Sequence, residues 1–498
     1  MMAGMRPYVV LLAIWVHPLA GCSLIYNPNN LPPAPGDAER EPDAELILDA
    51  DPSQLELERV APNLVFEGTG TGGSRSALIT VHGKQIVSGA KVSFAVHGGG
   101  AVTMIAVDDA HTEVAADGRM VAAPITIAVD PSLGDGQSVQ IDVTVTQPTG
   151  SGDVARTLTE LAQPAGAAVL VVQGLDELNA VDRALTTAAA HEFSQVSITG
   201  ALTALDTTNP LIIRARGSIT ITGSAKVNAA GTTKGAGGNA GGTGGGILGN
   251  GTAGSGPGAG QPNSGGGGFA TAGGGGVLGG TSSGDAQITT LGLPNRSSGG
   301  AGAAGGAISS GGDGGAGGGS IEISAGGTIS LAVVEAKGGT GQPGANDGGG
   351  GSGGVVLVRS GVSVAATAVN VNGGTGLNAG SIGRIRIDAP GSVATTTPTA
   401  YRGPMFASAT ELITRQDDLV VTVVGQADRP IKYKIFNEDR TLVKGPFDQS
   451  IASGGSNSFT LEEPLFRGLN TLCLQVENGD IANETRNCID IVYLFAVR

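Results

Sequence analysis

The sequence predicts an all-β protein in which two β-sandwiches flank a glycine-rich parallel β-helix or solenoid. The chain of 498 residues contains 87 glycines, and glycine costs about 1 kcal/mol relative to alanine inside a helix. Apolar and polar residues alternate in short stretches near both ends, a period typical of strands. Between them, very short apolar steps recur, which is typical of stacked repeats.

Residues 1–21 are predicted to be a signal peptide. Arg6 is the only charge before residue 37, and the apolar run Tyr8–Val16 follows it. Nine apolar residues are too few for a membrane span of about 20, but they suit the central part of a signal peptide. The next residues, Leu19-Ala-Gly-Cys22, resemble the lipobox of bacterial lipoproteins. This resemblance implies cleavage before Cys22 and lipidation of its thiol.

The position after the lipidated cysteine bears on localisation. By the same resemblance, Ser23 favours an outer-membrane lipoprotein, exposed at the cell surface. The alternative is an ordinary signal peptide in which Cys22 is incidental.

Residues 22–58 are predicted to be a disordered tether. This segment is rich in proline, and nine acids stand against one arginine between Asp37 and Glu58. Low hydrophobicity combined with like charge keeps such a chain extended. The opening from Cys22 to Pro32 resembles that of many myxobacterial-type surface lipoproteins, which often continue into an acidic linker and an Ig-like domain.

Residues 59–147 are predicted to form the first sandwich. Four alternating stretches stand out, at Ala77–Val81, Ala90–Val96, Ile125–Val129 and Val139–Val145. The run Ile79–Gly83, with Ile86 and Gly89–Val92, resembles the IPT/TIG type of Ig-like domain. The resemblance implies a spacing or binding role. A connector, residues 148–194, follows. Its segment Leu175–His191 lacks glycine and proline, so it predicts one short helix.

Residues 195–395 are predicted to form the solenoid. Sixty of the 87 glycines lie between Gly217 and Gly391, and runs such as Gly265–Gly268 break any collagen-like period. Short apolar steps recur among them, at Ile219–Ile221, Ile321–Ile323, Ile329–Leu331, Val356–Val358, Val362–Val364 and Ile385–Ile387. Each unit of about 20 residues is too small to bury a face alone and must stack on its neighbours.

The glycine runs leave two structures open. They can be flexible loops that leave the rungs of the solenoid. They can also be close-packed extended layers, because a missing Cβ lets backbones approach one another.

Residues 410–498 are predicted to form the second sandwich. Its alternating stretches are Leu419–Val424, Ile431–Phe436, Thr471–Val476 and Cys488–Tyr493. The segment Pro464–Asn470 resembles the corner of bacterial Ig-like domains. Once Cys22 is lipidated, Cys473 and Cys488 are the remaining cysteines, and an even remainder in an exported chain predicts one disulfide.

Charge and motifs narrow the function. A net charge of −15 argues against a nucleic-acid-binding protein, and no Walker loop or His-Glu-x-x-His occurs. Asp109, His111 and Glu113 alternate, so in a strand they face one side and could hold a divalent metal, or they form a plain polar strand face. Asp130 to Asp135 could be a Ca²⁺ loop or an ordinary turn. No cofactor is otherwise predicted.

A β-helix also suggests a carbohydrate-active protein, for which Glu322 and Glu335 are candidate carboxylates. Each stands between apolar neighbours that should face the core, so each is expected to point to solvent. Aromatic platforms are scarce, since only Phe193 and Phe269 occur between Ala95 and Ala400.

The predicted function is therefore a non-enzymatic, lipid-anchored structural or adhesive protein, built as an extended stalk. The membrane, reached through the lipid, and an unidentified envelope, matrix or cell-surface component are its predicted partners. The alternative is a carbohydrate-binding or carbohydrate-active β-helix protein. A third possibility is a partner in envelope assembly.

Overall fold

Strands make up nearly all the regular secondary structure of the residues that the structure describes. The computed structural model describes residues 52–68, 74–99, 104–130, 132–133, 137–159, 170–174, 176–244, 251–256, 258–282, 311–344, 346–475 and 487–494. These residues contain 30 strands and short 3-10 helices at Pro52–Gln54, Asp109–His111 and Gly276–Leu278, and no α-helix. The all-β class is thus confirmed. All described residues belong to one compact unit, residues 46–498.

The N-terminal region, residues 52–174, contains ten strands. They are β1 Glu56–Ala61, β2 Leu64–Phe66, β3 Ser74–Lys84, β4 Lys91–Val96, β5 Ile105–Val107, β6 Glu113–Val114, β7 Met120–Ala128, β8 Ser138–Thr149, β9 Gly152–Leu158 and β10 Leu170–Gln173. One sheet has the order β1-β3-β7-β5, with β6 also on β7, and the other β2-β10-β8-β4, with β9 also on β8. Alternating residues of both sheets, among them Ile79 and Val143, share one core.

This core is larger than the sequence predicts. It begins at Leu55, which is 1% exposed, and ends at Val172. The predicted tether is therefore wrong over residues 52–58. Glu56 and Glu58 occupy the exposed face of β1, so the acidic charge does not prevent pairing. The rest of the tether, residues 22–51, lies outside the described residues.

The ladder region, residues 176–391, contains twelve strands. They are β11 Leu178–Ala180, β12 Arg183–Leu185, β13 His191–Phe193, β14 Val196–Ile198, β15 Ala201–Ala204, β16 Leu211–Ala215, β17 Ile219–Lys226, β18 Ser320–Ala325, β19 Ile329–Glu335, β20 Val355–Ser360, β21 Val364–Asn370 and β22 Arg384–Asp388. One sheet has the order β13-β16-β18-β20-β22. The second joins β11, β14, β17, β15 and β12, and continues through β19 to β21.

Every pairing between the described strands of the ladder region is parallel. The predicted repeats stand directly beside one another. Ile219 pairs with Ile329, which pairs with Val364. Ile323 likewise pairs with Ile213 on one side and with Val358 on the other. These columns of branched side chains from both sheets form one continuous buried core. Each repeat is too small to bury an apolar face alone, so the repeats share this core by stacking.

The helix predicted over Leu175–His191 is wrong. Strands β11 and β12 lie there, and each pairs in parallel with the strand one repeat later. Leu178 and Leu185 are buried in the ladder core. Burial of these side chains and the ladder hydrogen bonds outweigh a local helix propensity, which is weak for so short a segment.

The described glycine-rich segments are packed layers. The Gly350 N–H donates to the Asn378 carbonyl at 2.8 Å, and the Gly315 N–H donates to the Gly349 carbonyl at 2.8 Å. A Cβ built on Gly353 would lie 1.8 Å from a carbonyl oxygen of the next layer. Of the two structures left open above, the described segments adopt the close-packed one. Extended backbones without side chains approach closely enough to satisfy each other's polar groups.

The C-terminal region, residues 405–494, contains eight strands. They are β23 Met405–Ala409, β24 Ile413–Thr414, β25 Val420–Val424, β26 Arg429–Phe436, β27 Val443–Ile451, β28 Ser456–Thr460, β29 Gly468–Gln475 and β30 Cys488–Tyr493. The sheets β23-β25-β28 and β24-β30-β29-β26-β27 enclose a core around Tyr433. Cys473 and Cys488 are direct neighbours across β29 and β30, and their sulfurs are bonded, as the sequence predicts.

The N-terminal and C-terminal regions contact each other directly. One apolar cluster joins them, made of Ala115, Met120 and Ala122 from the first and Leu469, Val492 and Leu494 from the second. The expected extended stalk is therefore wrong for the described regions. Met120, Val492 and Leu494 are fully buried in this contact.

Candidate functional site

A polar network surrounds the apolar contact between the two end regions. Glu438, in the turn after β26, binds both Arg59 of β1 and His82 of β3. Arg467 binds Asp117, whose side chain is almost fully buried. On the far side, Arg415 Nη2 lies 3.0 Å from Glu113 Oε2 and donates to the Val114 carbonyl.

His82 is the titratable group most changed by this contact. Burial, with the charges of Arg59 and Arg467, lowers its pKa from 6.5 to about 3. The ring is therefore neutral near pH 7. Its Nε2 lies 2.8 Å from Glu438 Oε2, so the neutral imidazole donates to the carboxylate.

Beside this contact the two regions form the candidate site, a groove of about 890 Å³. Its apolar lining comes from Ala77, Leu78 and Pro124 of the N-terminal region and from Leu412, Ile413 and Ile489 of the C-terminal region. Its charged rim is formed by His111, Glu113, Glu411, Arg415 and Asp490. Leu412 is 52% exposed in the groove. A concave apolar surface with a few polar groups at its rim is the usual form of a binding site.

Two of the three predicted metal ligands line this groove, but not as expected. Asp109–His111 form a 3-10 turn rather than a strand, and Asp108 caps it by accepting from the Ala110 N–H. His111 Nδ1 lies 2.7 Å from Asp108 Oδ2, while Glu113 is paired with Arg415. The predicted common face is therefore wrong. Among the described residues, no group of three or more His, Cys, Asp or Glu is placed to hold a metal.

The structure describes only part of the two other predicted sites, the Ca²⁺ loop and the lipidation site. Asp130 Oδ1 accepts from the N–H and hydroxyl of Ser132, which is the geometry of an ordinary Asx turn. Asp135 and the lipidation site Cys22 lie outside the described residues.

The expectation that Glu322 points to solvent is wrong. Its residue is 3% exposed, it accepts from Arg214 Nε at 3.1 Å, and Ser324 donates to it at 3.0 Å. Ile321 and Ile323 do face the core, as predicted. However, a second layer covers the opposite face of this sheet. Phe269, from a glycine-rich segment, packs there on Val355 and Leu357.

On this face of the sheet, arginines stand in register beside carboxylates and a serine. Glu192, Arg214, Ser324, Arg359 and Asp388 stand in one row of the register. Asp388 is fully buried. It accepts from Arg386 Nε at 2.8 Å and from the Gly403 N–H at 2.8 Å, and it lies 3.3 Å from Arg359 Nε.

Three carboxylates thus share one sheet face, but each is engaged by arginine, and Glu322 and Asp388 are buried. The second candidate carboxylate, Glu335, is only partly covered. Burial opposes its ionisation, but hydrogen bonds from Lys337 and Asn228 outweigh that effect and lower its pKa.

Glycine richness also produces the string Gly-x-Ser-x-Gly, at residues 280–284 and 350–354. A hydrolase nucleophile of this pattern stands on a sharp turn from strand to helix. Ser352 instead lies fully buried within the packed glycine layers. Ser282 is exposed and is followed by residues outside the described part.

Comparisons with protein-family models, with curated proteins and with solved structures give no match. Within the described residues, no helix is long and apolar enough to cross a bilayer.

Proposed function

We propose that this chain is a non-enzymatic, lipid-anchored structural or adhesive protein of the cell surface. Its end regions are Ig-like sandwiches, and its middle is a parallel β-helix from which packed glycine layers extend. The paired sheets with shared cores support the first assignment. The in-register parallel strands around one continuous core support the second.

The observation that carries the proposal is that a large part of the chain forms closely packed glycine-rich layers. The region 217–391 contains 60 of the 87 glycines, and at most of its described glycines a Cβ would clash with a neighbouring backbone. Such layers have no side-chain freedom to lose on folding. A scaffold of this kind presents a surface in a fixed geometry, which is what an adhesive or structural protein requires.

The groove between the end regions is the surface we assign to contact. It combines an apolar floor with exposed Leu412 and a charged rim. Both walls are held by the apolar cluster that contains Met120 and Leu469 and by the hydrogen bond between His82 and Glu438. An envelope or matrix component that buries an apolar segment here, with a basic group toward Glu411, fits this lining.

Photo-crosslinking on intact cells tests the proposal. A photoreactive amino acid replaces Leu412 in the groove, and in a control strain it replaces Val362, which has a similar exposed fraction, 48%, but lies outside the groove. We expect an envelope or matrix component to be captured at position 412 and not at position 362, and mass spectrometry identifies it. Equal capture at both positions, or none at position 412, would contradict the assignment of the groove.

A companion variant tests the anchor. Cys22→Ser should release the protein from the membrane fraction or block its processing. A Cys22→Ser protein with a cleaved N-terminus that still partitions with membranes would contradict the lipoprotein assignment.

A further inference from the structure

A second cavity, of about 340 Å³, lies where the N-terminal, ladder and C-terminal regions meet. Each region contributes one arginine to its lining: Arg75 from β3, Arg216 from the end of β16, and Arg440 from the turn before β27. Among the described residues of the lining, Asp490 is the one carboxylate. In a chain of net charge −15, this is a local concentration of positive charge.

The arginines come close together without enough negative charge to balance them. Arg216 Cζ lies 4.0 Å and Arg75 Cζ 5.7 Å from the centroid of the same ring, Phe66. Asp490 Oδ1 already accepts from the Thr471 hydroxyl at 2.8 Å. Glu192, outside the cavity lining, lies 3.3 Å from Arg216. Even with Glu192 included, positive charges outnumber negative ones among the residues that the structure describes here.

Arg75 carries a further unsatisfied group. Its Nη1 is buried and has no hydrogen-bond partner among the described residues. Leaving a buried donor of a charged group unpaired costs free energy. Burial, followed by the charge of Arg216, lowers the pKa of Arg75, and Asp490 opposes this. Both effects disfavour the guanidinium cation unless an anion is present.

We infer that this cavity binds a tetrahedral oxyanion, a phosphate or sulfate group, which links the three regions. Guanidinium groups bind such oxyanions through charge-assisted, often bidentate, hydrogen bonds. The cavity is larger than one ion, so the oxyanion can be free or can be the end group of a larger envelope component. The disulfide at Cys488 holds the strand that carries Asp490, so the cavity wall is fixed before the anion binds.

Calorimetric titration of the full-length protein with inorganic phosphate, and separately with sulfate, tests the site. Thermal unfolding is followed in parallel, with sodium chloride at matched ionic strength as the reference. We expect a saturable heat of binding and a saturable rise of the unfolding temperature at millimolar anion. General stabilisation by excluded salts would instead grow without saturating.

Variants assign the effect to the cavity. Arg75→Gln should weaken anion binding by about tenfold or more, as the loss of a charged hydrogen bond does. Arg440→Gln, at an exposed position, keeps the test valid if Arg75→Gln fails to fold. Arg156→Gln, also exposed but outside the cavity, serves as the matched control and should bind as the unaltered protein does.

A sugar phosphate separates the two sources of the anion. Tighter binding of glucose 6-phosphate than of inorganic phosphate supports the end group of a larger component, and the reverse supports a free ion. The inference is overturned if phosphate and sulfate act no differently from chloride, or if Arg75→Gln and Arg440→Gln both bind as tightly as Arg156→Gln. None of these results bears on crosslinking at Leu412. The anion site and the proposed function can therefore be refuted independently of each other.

Discussion

Gly353 provides the most direct test of the packed glycine layers. It lies just before β20, and its N–H donates to the Ser381 carbonyl at 2.9 Å. A Cβ at this residue would lie 1.8 Å from the Val371 oxygen and 2.7 Å from the Gly383 nitrogen. Those two atoms are themselves hydrogen-bonded, at 2.7 Å. The methyl group of Gly353→Ala would therefore sit in the middle of an existing hydrogen bond.

The cost follows from this geometry. Real Cβ atoms essentially never come closer than 3.0 Å to a neighbour, so the two layers must separate by roughly 1 Å. Overpacking of this kind costs about 1–3 kcal/mol, and loss of the hydrogen bond adds about 1 kcal/mol. We expect Gly353→Ala to lower the free energy of unfolding by about 2–4 kcal/mol.

Gly454→Ala is the matched control. A Cβ at Gly454 meets nothing within 4 Å, and its φ is not in the left-handed region. Removing glycine there restricts the unfolded chain and should raise stability by about 0.4–1 kcal/mol. Urea unfolding of both variants, followed by circular dichroism, should give shifts of opposite sign. Shifts within about 0.5 kcal/mol of each other would refute close packing of the glycine layers.

Four further predictions concern the ladder core, the opposite face of its sheet, the contact between the end regions and the disulfide. Ile329→Asp places a charge in the ladder core, where the side chain is 1% exposed, and should cost more than about 3 kcal/mol. Glu322→Ala should cost about 1–3 kcal/mol, because the residue is buried and paired; a cost under about 0.5 kcal/mol would mean that it is exposed. The folded pKa of His82, about 3 against 6.5 in the unfolded chain, means that the unfolded state binds more protons between these values. Stability should therefore fall as the pH is lowered from 6.5 toward 3, by up to about 1.4 kcal/mol per pH unit, and His82→Gln should remove that part of the slope in pH-dependent urea unfolding. Replacing Cys473 and Cys488 with serine should cost about 3 kcal/mol, and non-reducing peptide mapping of the unaltered protein should recover the linked peptides; two free thiols would contradict the pairing.

Local patterns were sufficient to predict the strands and the repeats. Val139–Val145 alternates because one face of its strand is buried, and the same alternation forms β8. The repeated Ile-x-Ile steps predict stacking because a short apolar face has no other way to be covered. The cysteines predict a disulfide because lipidation of Cys22 in an exported chain, as the sequence predicts, would leave an even pair. In each case the prediction depends on a few residues whose types and spacing can be read from the sequence.

The sequence did not reveal what covers each surface. Glu322 alternates with core residues like any exposed side chain, yet a glycine-rich segment and Arg214 enclose it. Leu178 and Leu185 stand in a stretch with helical composition, but strands one repeat away pair with them. The groove at Leu412 and the arginine cavity exist only because the two ends of the chain meet. Burial depends on residues that are distant in sequence, and contacts across hundreds of positions leave no local period from which they can be read.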